Sequence, residues 1–352
     1  MVPLGVVVLL TAGCTGTELT SKWQSYGNDN THLDDWTGGD GAASVRLPDG
    51  RTLWFMNDAF LDRVNADGSR APGALTAHNV AVIEQADGIL GPTLAGGAPP
   101  PGSNLRGSWL ESPVPGTFYW ILDGTVEGSS LRLLVSQSTT DGSTYHELVV
   151  TLSLPDLTVQ GPPVLVPHYA TASVDTFLET PASTYMYGTH WVEVSPGVSE
   201  PRTYVARVTA GNVSQTSTWQ YLTAAGWSTD PTTSTLTDIG HVYQGTVVQA
   251  GSDYVLAGFA SALDGDVVTA RSSTPYGPFS TPTLAYEIPE NGQPCGTSAL
   301  VSYALRAHQE HGTWPSAAVF SYSVTCWGDF GPLLTNVNNY RPRYIDLDLT
   351  GP

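Results

Sequence analysis

Asp40 and Asp58 have the clearest capacity for chemistry in this chain, because a short turn between them brings two carboxylates together. The segment reads Asp40-Gly-Ala-Ala-Ser-Val-Arg-Leu47, then Pro48-Asp49-Gly50, then Arg51-Thr-Leu-Trp-Phe-Met-Asn-Asp58. Pro48 suits the first corner of a type I turn and Gly50 the left-handed position that follows, which gives a three-residue hairpin loop. With Leu47 opposite Arg51, Val45 faces Leu53, Ser44 faces Trp54 and Asp40 faces Asp58. Opposed residues hold their Cβ atoms about 4.5 to 5.5 Å apart, where like charges destabilise a sheet, so folding alone does not choose this pair. Two carboxylates that close drive their pKa values apart, one staying ionised and the other keeping a proton, as acid/base chemistry requires. The competing readings are an aspartate that caps a loop backbone and a divalent cation shared by the pair.

Other residues join this pair as candidate substrate binders. His78 and Asn79 begin the next strand and open toward the same end as Asp40. Asp123 follows Tyr119-Trp120 and offers a third carboxylate. His190 and Glu193, with Glu179 nearby, flank Trp191, a hydrogen bonder beside an apolar sugar platform. His241 follows Asp238-Ile-Gly240, and His308 and Glu310 lie two apart, hence on one strand face with Glu310 reaching the axis. No His-Glu-x-x-His, no phosphate-cradling glycine loop and no Gly-x-Ser-x-Gly elbow is present, which disfavours metalloprotease, nucleotide-using and serine-esterase readings.

The elements that must position these residues are strands. Short alternating runs rich in Val, Leu, Thr, Tyr and Trp recur between Gly, Pro, Asp and Asn, and no convincing amphipathic helix interrupts them. Five clusters stand out: Gly41 to Gln85, Trp109 to Leu154, Thr184 to Val208, His241 to Ser273, and Ala299 to Leu347. Each has room for three or four strands at a rhythm of roughly 50 to 65 residues, which predicts an all-β, five-bladed β-propeller. A two-sheet sandwich is the rival, but a sandwich of this length would split at a linker, and no linker composition appears. The predicted propeller domain spans 38–352. The segment 14–37 precedes it, with a strand near Trp23 to Tyr26 pairing with the last blade to close the ring. The stretch Leu94 to Ser103 reads as a surface loop.

Thirteen Lys and Arg against 32 Asp and Glu give a formal charge of -19, so nucleic acid would be repelled and neutral or cationic partners are favoured. The apolar run at residues 1–13, ending in Leu10-Thr11-Ala12-Gly13-Cys14, resembles the signal peptide and lipobox of a bacterial lipoprotein. It implies export and lipidation of Cys14, with the membrane touched only through that anchor, or else plain secretion. Cys295 and Cys326 then form an even pair, expected as one disulfide in an oxidising compartment. The expected molecule is a monomer without a cofactor, a structural calcium ion being the one alternative.

Gly39-Asp40-Gly41, Leu47-Pro48-Asp49-Gly50-Arg51-Thr52-Leu53-Trp54, Asp58-Ala59-Phe60-Leu61 and His78-Asn79 resemble a family of secreted bacterial five-bladed propellers. It is the family catalogued as domain of unknown function 4185, with members placed in glycoside hydrolase family 183 as endo-acting D-arabinofuranases. Looser words continue the likeness, among them Ser273-Thr-Pro-Tyr-Gly-Pro-Phe279 and Tyr340-Arg-Pro-Arg343. Met56-Asn57-Asp58-Ala59 stands where Phe-Gly-Asp-Thr is more usual, and Gln309 where proline is. The resemblance implies Asp40 and Asp58 as catalytic carboxylates and an endo-acting cut in a furanose-rich glycan such as D-arabinan, while the short carboxylate separation of the hairpin, about 5 Å, favours a retaining mechanism. The alternative function is a non-catalytic surface glycan-binding propeller; a metal-dependent hydrolase is a third.

Overall fold

Nearly every strand pairs with its neighbour in sequence, within five separate antiparallel sheets. The computed structural model describes residues 14–31, 34–141, 145–167, 172–230, 236–263 and 265–350; the signal-peptide reading of 1–13 falls outside them. The first sheet holds β1 (Trp36–Arg46), β2 (Thr52–Leu61), β3 (Thr76–Glu84) and β4 (Leu90–Leu94). The second holds β5 (Thr117–Glu127), β6 (Ser130–Thr139), β7 (Tyr145–Ser153) and the two-residue β8 (Thr158–Val159) and β9 (Val164–Leu165). The third holds β10 (Ala172–Glu179), β11 (Ser183–Ser195), β12 (Val198–Thr209), β13 (Gln220–Thr223) and β14 (Gly226–Ser228). The fourth holds β15 (Tyr243–Ala250), β16 (Asp253–Phe259), β17 (Val267–Ser272) and β18 (Thr283–Tyr286). The fifth holds β19 (Pro294–Cys295), β20 (Ser298–His308), β21 (Ala317–Cys326) and β22 (Arg343–Asp348).

The strands β1, β5, β10, β15 and β20 contact one another in a closed ring, so the sheets are blades of a five-bladed β-propeller. Each blade is covered on both faces. This is why β2 reads Leu53-Trp54-Phe55-Met56 as a continuous buried run instead of an alternating one. The core accordingly forms layers between adjacent blades: Phe55, Ile121 and Leu133 between the first and second, for example, and Phe259, Leu305 and Phe320 between the fourth and fifth.

A helix, not the expected strand, occupies the seam between the fifth and first blades. The helix α1 (Gly16–Asn28) starts at Thr15, whose hydroxyl accepts from the Glu18 amide while the Glu18 carboxylate accepts from the Thr15 amide. That Thr-x-x-Glu spacing is a helix-start signal the strand reading overlooked. Leu19 and Trp23 drive into the core, with the Trp23 ring edge-on to Trp36 at 5.2 Å and to Trp54 at 5.4 Å. Gly16 lies so close to the Ile345 backbone that a Cβ would sit 2.7 Å from its carbonyl carbon. Cys14 is partly buried, and its carbonyl accepts from the Gly312 amide at 3.2 Å, at the end of the ring where β20 turns into β21. Cys295 and Cys326 are joined in a disulfide with Cα atoms 5.7 Å apart.

All five ring strands carry a bulge at a comparable level. The register slips between Asp40 and Ala43, Ile121 and Asp123, Val174 and Thr176, Tyr243 and Thr246, and Tyr303 and Arg306. Bulges re-aim side chains, and here they turn polar groups toward the axis and toward the next blade. The Ala304 amide donates to Gln244 Oε1 at 2.7 Å and the Gly41 amide to Ser323 Oγ at 2.9 Å.

Candidate active site

The turn at Pro48-Asp49-Gly50 forms as its residues dictate, with the Leu47 amide bonded to the Arg51 carbonyl and Gly50 at φ 90°. From there the register runs Arg46 to Thr52, Val45 to Leu53, Ser44 to Trp54 and Ala43 to Phe55. It then slips, so Asp40 pairs with Asn57 and not with Asp58. This corrects the direct opposition expected of the two aspartates. Two residues absorb the slip: Gly41 at φ 60° and Asp58 itself at φ 38°. A Cβ on Gly41 would lie 2.6 Å from Asn57 Nδ2, so glycine is required there for space as well as for conformation. Asp58 holds a backbone conformation that a non-glycine residue rarely adopts, a form of strain that collects at functional sites.

The bulge still leaves the two carboxylates within electrostatic reach. Burial first, and the charge of Asp58 second, push the Asp40 carboxyl up to about 7. Asp40 Oδ2 accepts two phenol hydrogen bonds, from Tyr303 at 2.6 Å and Tyr340 at 2.9 Å, which oppose part of that rise. Its other oxygen is bound by neither phenol. Asp58 is 40% exposed, and its Oδ1 lies 3.1 Å from His78 Nδ1. The His78 ring stacks on Phe118 with centroids 3.7 Å apart, which holds the imidazole in place. A cavity of about 260 Å³ opens beside them, lined among others by Asp58, His78, Phe60, Leu105, Phe330 and Tyr340.

The remaining candidates do not join this site. Asn79 is fully buried; its side chain donates to the carbonyls of Leu110 and Tyr119 and accepts from the Leu110 amide, so it rivets the first blade to the second and touches no solvent. Asn57 makes the matching rivet to Ile121. His308 is also fully buried, between Ser44 and Ser321, and burial holds its ring well below the ordinary histidine range, hence neutral. It does not share a face with Glu310, because β20 ends at His308 and the chain turns. His190 is tied to Asp238 at 2.7 Å, Glu193 caps the Gly197 amide on an exposed hairpin, and His241 is exposed ahead of β15.

Asp123 and Glu310 instead line a separate axial cavity of about 460 Å³, together with Glu179 and Arg306. Burial raises Asp123 to about 6 and Glu310 to about 7. Arg306, itself buried, donates to the carbonyls of Leu122 and Leu305, and its charge pulls down the carboxyls of Asp40, Asp123 and Asp175. Among the described residues no cluster of three His, Cys, Asp or Glu side chains is arranged to hold a metal ion.

Tyr303, Arg306 and Phe118 escaped the sequence reading. Tyr340 sat in a word of the family resemblance but carried no role there. A tyrosine that supports a carboxylate some 263 to 300 residues away in sequence leaves no local pattern.

Residues 14–348 match the model of a family described as a domain of unknown function, DUF5005. No curated protein matches the chain. Among solved structures, a Bacteroides ovatus protein described as a candidate hydrolase is 20% identical, with a TM-score of 0.72 over 95% of this chain and 89% of its own. A sucrose-6-phosphate hydrolase from Lactobacillus gasseri is 9% identical, with a TM-score of 0.55 over 94% of this chain and 63% of its own. A thermostable family-43 glycoside hydrolase is 10% identical, with a TM-score of 0.50 over 90% of this chain and 93% of its own. At these identities the likeness establishes the shared propeller fold.

Proposed function

Since the chain belongs to the DUF5005 family of domains of unknown function, we propose its activity from its own site: a glycoside hydrolase that uses Asp40 and Asp58. The observation that carries the reading is the unequal pair, one carboxyl raised to about 7 and the other a partly exposed neighbour whose charge contributes to that rise. Glycoside hydrolysis needs one carboxylic acid to protonate the leaving oxygen and one carboxylate on the reacting carbon or its water. Asp40 is the acid. With Oδ2 accepting from both phenols, the proton sits on Oδ1, free to pass to the glycosidic oxygen. Asp58, oriented by His78, is the nucleophile: it bonds to the anomeric carbon as the leaving group departs with the proton from Asp40. Water then attacks that carbon, returning a proton to Asp40 and releasing Asp58.

The substrate class follows from the sequence resemblance to the family-183 propellers, which supports an endo-acting cut in a furanose-rich glycan such as D-arabinan. The folds shared with a family-43 glycoside hydrolase and a sucrose-6-phosphate hydrolase agree with the glycosidase reading. We further propose lipid attachment at Cys14. Cys14 lies at the β20–β21 turn, whereas β22 begins beside Tyr340, the partner of Asp40, at the opposite end of the fifth blade, where Arg343 pairs with Tyr322. An anchored molecule would therefore present its site away from the membrane.

The test is incubation of the purified protein with arabinogalactan, arabinan and fructan, followed by product sizing. Asp40→Asn and Asp58→Asn are each expected to lose about 10²-fold or more in rate with the fold intact. Proton NMR of the first-formed product should show the retained anomer. A wild-type protein inactive on every furanan, yet binding one, would support a glycan-binding propeller instead.

A further inference from the structure

The Asp58 cavity has a mixed lining, apolar and polar. Phe60, Leu105, Phe330 and Leu333 line it together with Asp58, His78 and Tyr340, and among the described residues no lysine or arginine does. The nearby Arg70 offers nothing to it. Its guanidinium is buried 4.5 Å over the Phe60 ring and donates to Thr37 and to the Leu333 carbonyl.

Phe330 is 72% exposed, yet its segment is held. Asp329 on one side accepts from the Thr297 amide at 3.0 Å and from the Gly331 amide at 3.1 Å. On the other side Arg70 grips Leu333, and the Leu333 side chain is buried in a cluster with the Cys295–Cys326 disulfide. A large apolar ring kept in water by an anchored segment gains nothing for folding by its exposure. It gains when a flat ligand covers it.

We propose that Phe330 is the specificity-determining platform of the Asp58 site, on which an uncharged sugar ring lays its C–H face while its hydroxyls meet Asp58 and His78. Sugars carrying carboxylate, sulfate or phosphate are rejected, since such a group would sit beside Asp58 with no cation on the cavity wall, on a molecule of formal charge -19. The inference rests on the glycosidase reading for its choice of ligand, and its test separates the two.

Binding is measured by isothermal titration calorimetry on Asp40→Asn, which slows turnover of the ligand and keeps the Asp58 carboxylate. The probes are neutral arabinan and galactan oligosaccharides and, for contrast, oligogalacturonides. Adding Phe330→Ala should weaken neutral-oligosaccharide binding about three- to tenfold, Phe330→Trp should restore it, and oligogalacturonides should bind at least tenfold more weakly. In the active protein Phe330→Ala should raise KM more than it lowers kcat. Unchanged affinity in Phe330→Ala, equal binding of oligogalacturonides, or no binding of any neutral probe would overturn the platform. Phe330-dependent binding with no cleavage by the wild type would overturn the hydrolase reading and leave the platform standing.

Discussion

Tyr303 reaches across from the fifth blade to place its hydroxyl 2.6 Å from Asp40 Oδ2 in the first, and Tyr340 shares that oxygen at 2.9 Å. A carboxyl with one oxygen so engaged is fixed in rotation, and the proton it holds has one place to be. Both phenols favour the ionised form, against burial and the charge of Asp58. Asp40 therefore stands at about 7 as the outcome of opposed effects.

Tyr303→Phe removes a donor to the charged form, so the Asp40 pKa should rise. The alkaline limb of the kcat profile, where the acid loses its proton, should move up by about one pH unit, with a smaller shift for Tyr340→Phe. A limb that stays in place, or moves down, would contradict the assignment of Asp40 as the acid.

Glu310 offers a stability test independent of catalysis. Its folded carboxyl titrates at about 7 because of burial, against about 4 when unfolded. Between those values the folded chain holds the extra proton, so the contribution of Glu310 is complete below about pH 4 and is lost as pH rises through 7. Glu310→Gln should therefore gain in Tm relative to the wild type between pH 5 and pH 8. A Tm difference independent of pH would mean that Glu310 is not buried as described.

The Cys295–Cys326 disulfide closes a loop with a sequence separation of 31 and packs against Leu333 and Tyr340. Replacing both cysteines with alanine should cost about 3 kcal/mol in chemical denaturation. The same change should loosen Tyr340 and so lower kcat under conditions where the protein stays folded. Full activity with a normal pH profile would show that the bond serves stability alone.

Trp23 joins the helix α1 to Trp36 and Trp54 and is 2% exposed. Trp23→Ala should cost about 3 to 5 kcal/mol by leaving a large cavity in the seam between first and last blades. Glu18→Ala, which breaks only the exposed capping box, should lower stability far less. Equal losses would mean that the helix contributes through its cap and not through its packing.

Much of the architecture was legible because it is local. The Pro48-Asp49-Gly50 turn, the five clusters of short strands and the absence of a linker each follow from residues adjacent in the chain, and together they describe a five-bladed propeller. The third cluster spans only Thr184 to Val208 although its blade runs from β10 to β14; its outer strands β13 and β14 are four and three residues long, too short to stand out. The helix α1 was missed for a different reason: its buried face meets other elements at Leu19 and Trp23, and its mean polarity hides the pattern.

The site divides along the same line. Its two aspartates were visible from the sequence because one hairpin carries both, and the turn chemistry set the pairing as far as Ala43. Beyond that point the bulge at Asp40 and Gly41 is fixed by neighbours in other blades, such as Ser323 on the Gly41 amide, and no pairing rule within one hairpin contains them. The same holds for Asn79 and His308, polar residues of the right type whose burial between blades turns them from ligand binders into rivets. Sequence by itself determined the strands, the turn and which two carboxylates come near each other. Only the closed ring set the Asp40 carboxyl at about 7, because burial raises it while the charge of Arg306 and the phenols of Tyr303 and Tyr340, more than 260 residues away in sequence, pull it down.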